Sequence, residues 1–136
     1  MGQRDSRAGP PPTPPSIREG SKRRAETWGR RAETLAALYL QLKGWRVLAR
    51  RVRTPAGEID LVTRRGRQIA FVEVKARPDL ASAAVAIGPR NQQRISRASK
   101  FLLARFCRRN DSARFDVVLI RPWRWPVHFE GAWLGD

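Results

Sequence analysis

The sequence is poor in several residue types on which enzyme chemistry often depends. It has one cysteine, Cys107, and one histidine, His128, among 136 residues. A single cysteine excludes an intramolecular disulfide and a cysteine zinc cluster. It also suits a reducing, cytoplasmic setting. His128 lies near the C-terminus, where a strand-end or surface role is expected. That argues against histidine-based nuclease chemistry and a His/Cys zinc site. Cys107 follows Phe106 late in a helical pattern and reads as a small, partly buried thiol. No apolar run approaches the ~20 residues of a membrane span. The N-terminus is basic but has no apolar signal core, so neither a membrane nor secretion is expected. A GxxxxGK[ST] phosphate loop is missing too.

Acids are the other scarcity. There are 12 Asp+Glu against 28 Lys+Arg, a formal net charge of +16. Residues 1–27 hold six Lys/Arg and three acids, so +13 falls on the remainder. Solubility of a small domain needs a net charge of only roughly 2–8. An excess of this size favours a polyanionic partner, most simply nucleic acid.

The length suits one domain with a modest core. Residues 1–26 read as a disordered Pro/Arg-rich tail, with "GPPPTPPS" (Gly9 to Ser16) favouring polyproline II. The domain then spans residues 27–136. Trp28, Ala32, Leu35, Ala36, Tyr39 and Leu42 recur at helical spacing, predicting a helix from about Trp28 to Lys43, with Gly44 to stop it. Glu33 stands at the edge of that apolar face, where position alone makes it a rim glutamate paired with Arg30. "WRVLARRVR" (Trp45 to Arg53) reads as an edge strand and "TPAG" as a turn. Strands follow at about Glu58–Thr63 and Gln68–Ala76, joined through Gly66. Pro89 opens a second helix reaching about Arg108, and "RFDVVLI" (Arg114 to Ile120) is a strand. "PVHFE" (Pro126 to Glu130) is a further short one. The order α-β-β-β-α-β(-β) predicts an α/β fold, a mixed β-sheet flanked by helices.

The stretch "GEIDLVTRRGRQIAFVEVKAR" (Gly57 to Arg77) concentrates scarce acids in the most apolar hairpin. Residues two apart on a strand share a face, so Glu58 and Asp60 point one way, and Glu73 and Lys75 point together. If Arg65 to Gln68 form the loop, Asp60 faces Glu73. If the turn is centred one residue earlier, Glu58 does. Either way two carboxylates oppose each other, with a repulsion on the order of 3 kcal/mol at ~5 Å and a dielectric near 20. A shared proton, a counterion such as Lys75, or a divalent cation could each relieve it. Carboxylate oxygens suit Mg²⁺, and Lys75 would then face the same site, able to assist a water or stabilise phosphate charge. The other reading is a solvent-facing Glu73–Lys75–Asp60 ion cluster.

"GEIDLV" (Gly57 to Val62), a basic loop and "FVEVKAR" (Phe71 to Arg77) resemble the YraN-like family of bacterial candidate endonucleases. Those proteins look like the PD-(D/E)xK nuclease superfamily and archaeal Holliday-junction resolvases. "GRRAETLAALYL", "RISRASKFLL" and "RFDVV" extend the likeness over about Trp28 to Trp133. The resemblance implies a restriction-endonuclease-like αβββαβ core. It implies Asp60 and Glu73 as metal ligands with the Val74 carbonyl, Lys75 as catalytic lysine, and Glu33 as a helix glutamate approaching the metal. Gln92 would stand near the scissile phosphate. The implied cofactor is Mg²⁺ or Mn²⁺, and the implied substrate is DNA, in structured or branched form. Arg64, Arg65, Arg67, Arg77, Arg90, Arg94 and Arg97 would grip phosphates, and symmetric cutting would call for a homodimer. The sequence departs from the pattern at Arg50-Arg51, where "RN" is common, and at Asn91, where a lysine is common. A non-catalytic nucleic-acid-binding module, or an adaptor of a DNA-processing complex, is the alternative. "RPWRWP" (Arg121 to Pro126) could stack on bases or be buried against the sheet.

Overall fold

In a computed structural model, residues 17–82 and 87–133 are described. The elements are α1 (Ile17–Leu42), β1 (Arg46–Thr54), β2 (Gly57–Arg65), β3 (Gln68–Ala76), α2 (Pro89–Phe106), β4 (Ser112–Ile120) and β5 (Val127–Trp133). α1 begins well before Trp28. Residues 18–26, "REGSKRRAE", were expected in the tail; they have no apolar stripe but are rich in good helix formers. Propensity therefore extends the helix beyond its apolar stripe. The Gly9–Ser16 stretch lies outside the described residues. α1 ends where Gly44 takes φ +91°, and the Trp45 amide donates to the Leu40 carbonyl, closing the last turn.

The five strands form one sheet in the order β1-β2-β3-β4-β5. β3 and β4 are parallel, and the other neighbours are antiparallel. The parallel pair requires a crossover, and α2 lies within it. The result is the mixed sheet flanked by helices expected of an αβββαβ core, with β1 as an edge and β5 added beyond β4.

Each face of the sheet has its own core. On one, Ala32, Ala36, Ala37 and Leu40 of α1 meet Leu61, Ala70, Val72, Val118 and Ile120. Three alanines let the helix lie close to the strands. On the other, Ile95, Ala98 and Leu102 of α2 meet Ile59, Val62, Ile69, Phe71 and Phe115. Cys107 is half-buried at the end of α2, where burial pushes its thiol pKa up. It is the partly buried thiol its position suggested.

His128 is on strand β5 but is no surface residue, since its side chain is only 1% exposed. Its Nε2 lies 2.7 Å from Asp116 Oδ2, and its Nδ1 lies 2.7 Å from Lys43 Nζ. An ammonium only donates, so Nδ1 accepts and Nε2–H donates to Asp116. Burial raises the Asp116 pKa, but His128, the Gly131 amide and Arg114 outweigh it and hold the carboxyl low. Trp45, beside His128, is sandwiched between the guanidinium groups of Arg65 at 4.4 Å and Arg114 at 4.8 Å.

Ala36 is fully buried where α1 approaches the sheet. Ala36→Leu should overpack that contact and lower stability by about 1–3 kcal/mol, measured by urea denaturation.

Candidate metal centre

The hairpin pairs as the first of the two turns requires. Arg65 faces Gln68, and the register runs to Leu61 opposite Val72. Asp60 and Glu73 come next, and there the backbone pairing gives way to a side chain. Asp60 Oδ2 accepts a hydrogen bond from the Val74 amide at 2.8 Å. The carboxylate takes over a donor that the ladder would otherwise use.

Three acids gather at this open end. Glu73 is 5% exposed, and its Oε1 lies 3.0 Å from Lys75 Nζ and 3.7 Å from an Arg94 nitrogen. Glu33 projects from α1 and is buried rather than at the rim. Its partner is not Arg30. Arg51 Nε donates to both Glu33 oxygens, at 3.0 and 3.1 Å, and Arg50 Nε lies 3.5 Å away. Arg51 does this from a left-handed backbone, φ +49°, uncommon for a long side chain. Asp60 sits between the other two acids. Its pKa is raised from 3.8 to about 7, first by burial and then by the charge of Glu73, with Glu33 adding to it. The Val74 amide pulls the other way and is outweighed.

A cleft of about 360 Å³ opens beside these groups, lined by Gly29, Arg30, Glu33, Arg51, Arg53, Glu58, Asp60 and Val74. Glu58 pairs with Arg53 at 3.8 Å on its exposed rim. Among the described residues, no three Asp, Glu, His or Cys side chains stand as a ready metal-binding group. The donors nevertheless suit a hard cation. Asp60 and Glu73 offer carboxylate oxygens, and the Asp60 pKa is raised by burial first and then by the charge of Glu73, which a divalent ion would offset.

The basic residues divide sharply. Arg94, on α2, reaches the centre and is held by Asn91 Oδ1 at 2.7 Å. Gly57 lets it pass, because a β-carbon there would come within 3.1 Å of its guanidinium. Arg90 and Arg97 are exposed on the same face of α2. Gln92 donates to the Ile87 carbonyl, in the first turn of α2. Arg77 follows β3, its amide donating to the Ile120 carbonyl. Arg64, Arg65 and Arg67 sit at the closed end of the hairpin, about 17 Å along β2 from Asp60 for Arg65. The Arg64 guanidinium is engaged by Asp111 at 2.6 Å and by the Phe106 and Gly66 carbonyls, and Arg65 stacks on Trp45. Both brace the fold. Arg67 is exposed. The pair Arg50-Arg51 had stood out in the sequence only as a departure; its grip on Glu33 needed the fold to bring β1 beside α1.

The raised Asp60 pKa sets a pH dependence. A native carboxyl titrating above its unfolded value contributes stability that is complete below about 3.8 and lost as pH rises through about 7. Asp60→Asn keeps an acceptor for the Val74 amide but carries no charge. The variant-minus-wild-type stability difference should therefore grow from about pH 4 to about pH 7 and then level off, measured by thermal melts without divalent ions.

A family model described as "Uncharacterised protein family UPF0102" matches residues 32–120. The match covers Glu33, Asp60, Glu73 and Lys75. A UPF0102 protein of Parvibaculum lavamentivorans is 60% identical over 106 residues, 77% of this chain and 80% of the relative. One from Rhizorhabdus wittichii is 48% identical over 112 residues, 82% of this chain and 95% of the relative. One from Mesorhizobium japonicum is 51% identical over 116 residues, 85% and 93% respectively. The chain belongs to the UPF0102 (YraN-like) family.

Proposed function

We propose that this protein is a Mg²⁺- or Mn²⁺-dependent, endonuclease-like hydrolase of phosphodiester bonds in DNA, preferring structured or branched forms. One observation carries the reading: Asp60 and Glu73 meet at the open end of the hairpin, with Lys75 3.0 Å from Glu73. Burying two like charges together is unfavourable for a fold that needs only stability. Asp60, Glu73 and the Val74 carbonyl would hold the cation, with Glu33 near it. When bound, the cation supplies Lewis-acid polarisation of the phosphate and lowers the pKa of an attacking water.

The other groups follow from their places. Lys75 donates to charge developing on the phosphate, or orients the water. Arg94 stands at the edge of the centre, and Arg90 and Arg97 continue a basic face along α2. Arg77 extends it from β3. These contacts position a backbone and carry no sequence preference. Two copies would be needed to cut two strands symmetrically, so a homodimer belongs to the resolvase-like version. A cytoplasmic location fits a DNA substrate and a lone thiol. Among the described residues, no helix is long and apolar enough to cross a membrane.

A second reading is favoured by the ion pairs. Arg51 and Arg50 hold Glu33, while Lys75 and Arg94 hold Glu73, so much of the acid charge has protein counterions. The protein would then be a nucleic-acid-binding module, or an adaptor in a DNA-processing complex.

The test is a panel of junction, flap, single-stranded and linear duplex DNA with Mg²⁺ or Mn²⁺, using wild type and Glu73→Ala. The expected result is cleavage by wild type, none by the variant, and equal or tighter DNA binding once a negative charge is removed. With about 6–10 phosphate contacts, affinity should fall about 10³–10⁵-fold between about 50 and 200 mM salt. Salt-sensitive binding with no cleavage of any form would sink the enzyme reading and leave the binding module.

A further inference from the structure

A second surface adjoins the acidic cleft. It is a groove of about 500 Å³ whose walls include Trp28, Tyr39, Trp123 and Trp125, with Arg121 and Arg124 among its lining residues. Trp123 is fully exposed and Trp125 is 77% exposed, so the burial expected as one option for this loop does not occur. Trp123 also holds φ +59°, an outlying conformation for a bulky aromatic. The exposed Leu35, Leu38 and Leu42 give α1 a second apolar stripe on this side, away from its buried alanines.

Along α1 the groove and the acidic cleft are lined by consecutive residues. Trp28 lines it, and the next residues, Gly29 and Arg30, line the acidic cleft. Trp28 packs on the same cluster as Val74 and Ala76. Ala76 pairs with Ile120, and Ile120 begins the groove. From Glu73 to Ala76 is about 10 Å along β3. That is about three nucleotides at the 3.4 Å stacked spacing.

The geometry points to a subsite for unpaired DNA bases, in which Trp123, Trp125 and Trp28 stack on bases and Arg121 and Arg124 neutralise the adjoining phosphates. This rests on the reading of the acidic centre as a DNA site, and it names the substrate feature that centre would select: a single-stranded segment beside the scissile phosphate. Aromatic faces within a basic rim are the chemistry of single-strand binding, because every base has a π-face. Among the described residues, no acidic one lines the groove, so an anionic partner is complemented. A second copy fits less well, since it would bring further arginines and another +16 charge with no acid to meet them.

The test is fluorescence anisotropy in EDTA with the full chain. The probes are an oligothymidylate, a blunt duplex of equal length and an abasic strand. Trp123→Ala/Trp125→Ala should weaken oligothymidylate binding about tenfold or more, leave duplex binding within about twofold, and give no further loss on the abasic strand. Trp123→Phe/Trp125→Phe, which keeps stacking faces, should restore most of the affinity. Both pairs are exposed, so unchanged melting would confirm that folding is intact. The inference is overturned if the abasic strand binds wild type as tightly as oligothymidylate, or if the Ala pair loses duplex and single strand equally. It is also overturned if the Ala pair only converts a dimer to a monomer, which would mark the groove as a contact between copies. Failure here with Glu73-dependent duplex cleavage intact would remove the subsite and leave the nuclease reading. Stacking-dependent binding without any cleavage would do the reverse.

Discussion

Negative charge held away from water at the open end of the β2–β3 hairpin is the constraint around which this protein is arranged. Asp60 is held there by the Val74 amide, and its raised pKa shows that burial and Glu73 together oppose ionisation. The surroundings answer with cations from separate elements: Lys75 from β3, Arg94 from α2, and Arg50 and Arg51 from β1. Each helix and the edge strand thus meets the sheet at the same charged point. A left-handed Arg51 and a glycine clearing the way for Arg94 are local adjustments that serve this convergence.

The closed end of the hairpin is built on different physics. There the Arg65 guanidinium lies over Trp45, and from Trp45 the contacts run through Arg114 and His128 to Asp116. Arg64 closes on Asp111, linking the hairpin to the end of α2. These cations are occupied with structure, whereas Arg90 and Arg97 remain exposed. A net charge of +16 is therefore two populations of arginine, one bracing the fold and one free for a polyanion. The distinction matters for the DNA reading, because the exposed Arg90 and Arg97 lie on the face of α2 from which Arg94 reaches the acidic centre.

Much of the fold could be read from local pattern. The alternation in "GEIDLV" and "FVEVKA", with Gly66 between them, indicated the hairpin; of its two possible registers, the structure takes the one that brings Asp60 level with Glu73. Apolar spacing located the buried face of α1 but not its start, because propensity carries the helix through a polar stretch with no stripe to count. Glu33 was assigned Arg30, its helical neighbour, whereas it is bound by arginines from β1. Sequence distance hides a contact of that kind. His128 was placed on a strand, but it is engaged by Lys43, just past α1, and by Asp116 of β4.

By itself the sequence determined the order of elements and the choice of acids and narrowed the hairpin register to two alternatives, since side-chain periodicity and turn chemistry act over a few residues. Its arginine excess set the sign of the net charge, +16. Only the tertiary structure decided which cation meets which acid, which arginines stay exposed, and that Trp28 of α1 lines one groove with Trp123 and Trp125. Those outcomes depend on charges and rings brought together across the sheet, at separations that no local pattern along the chain encodes.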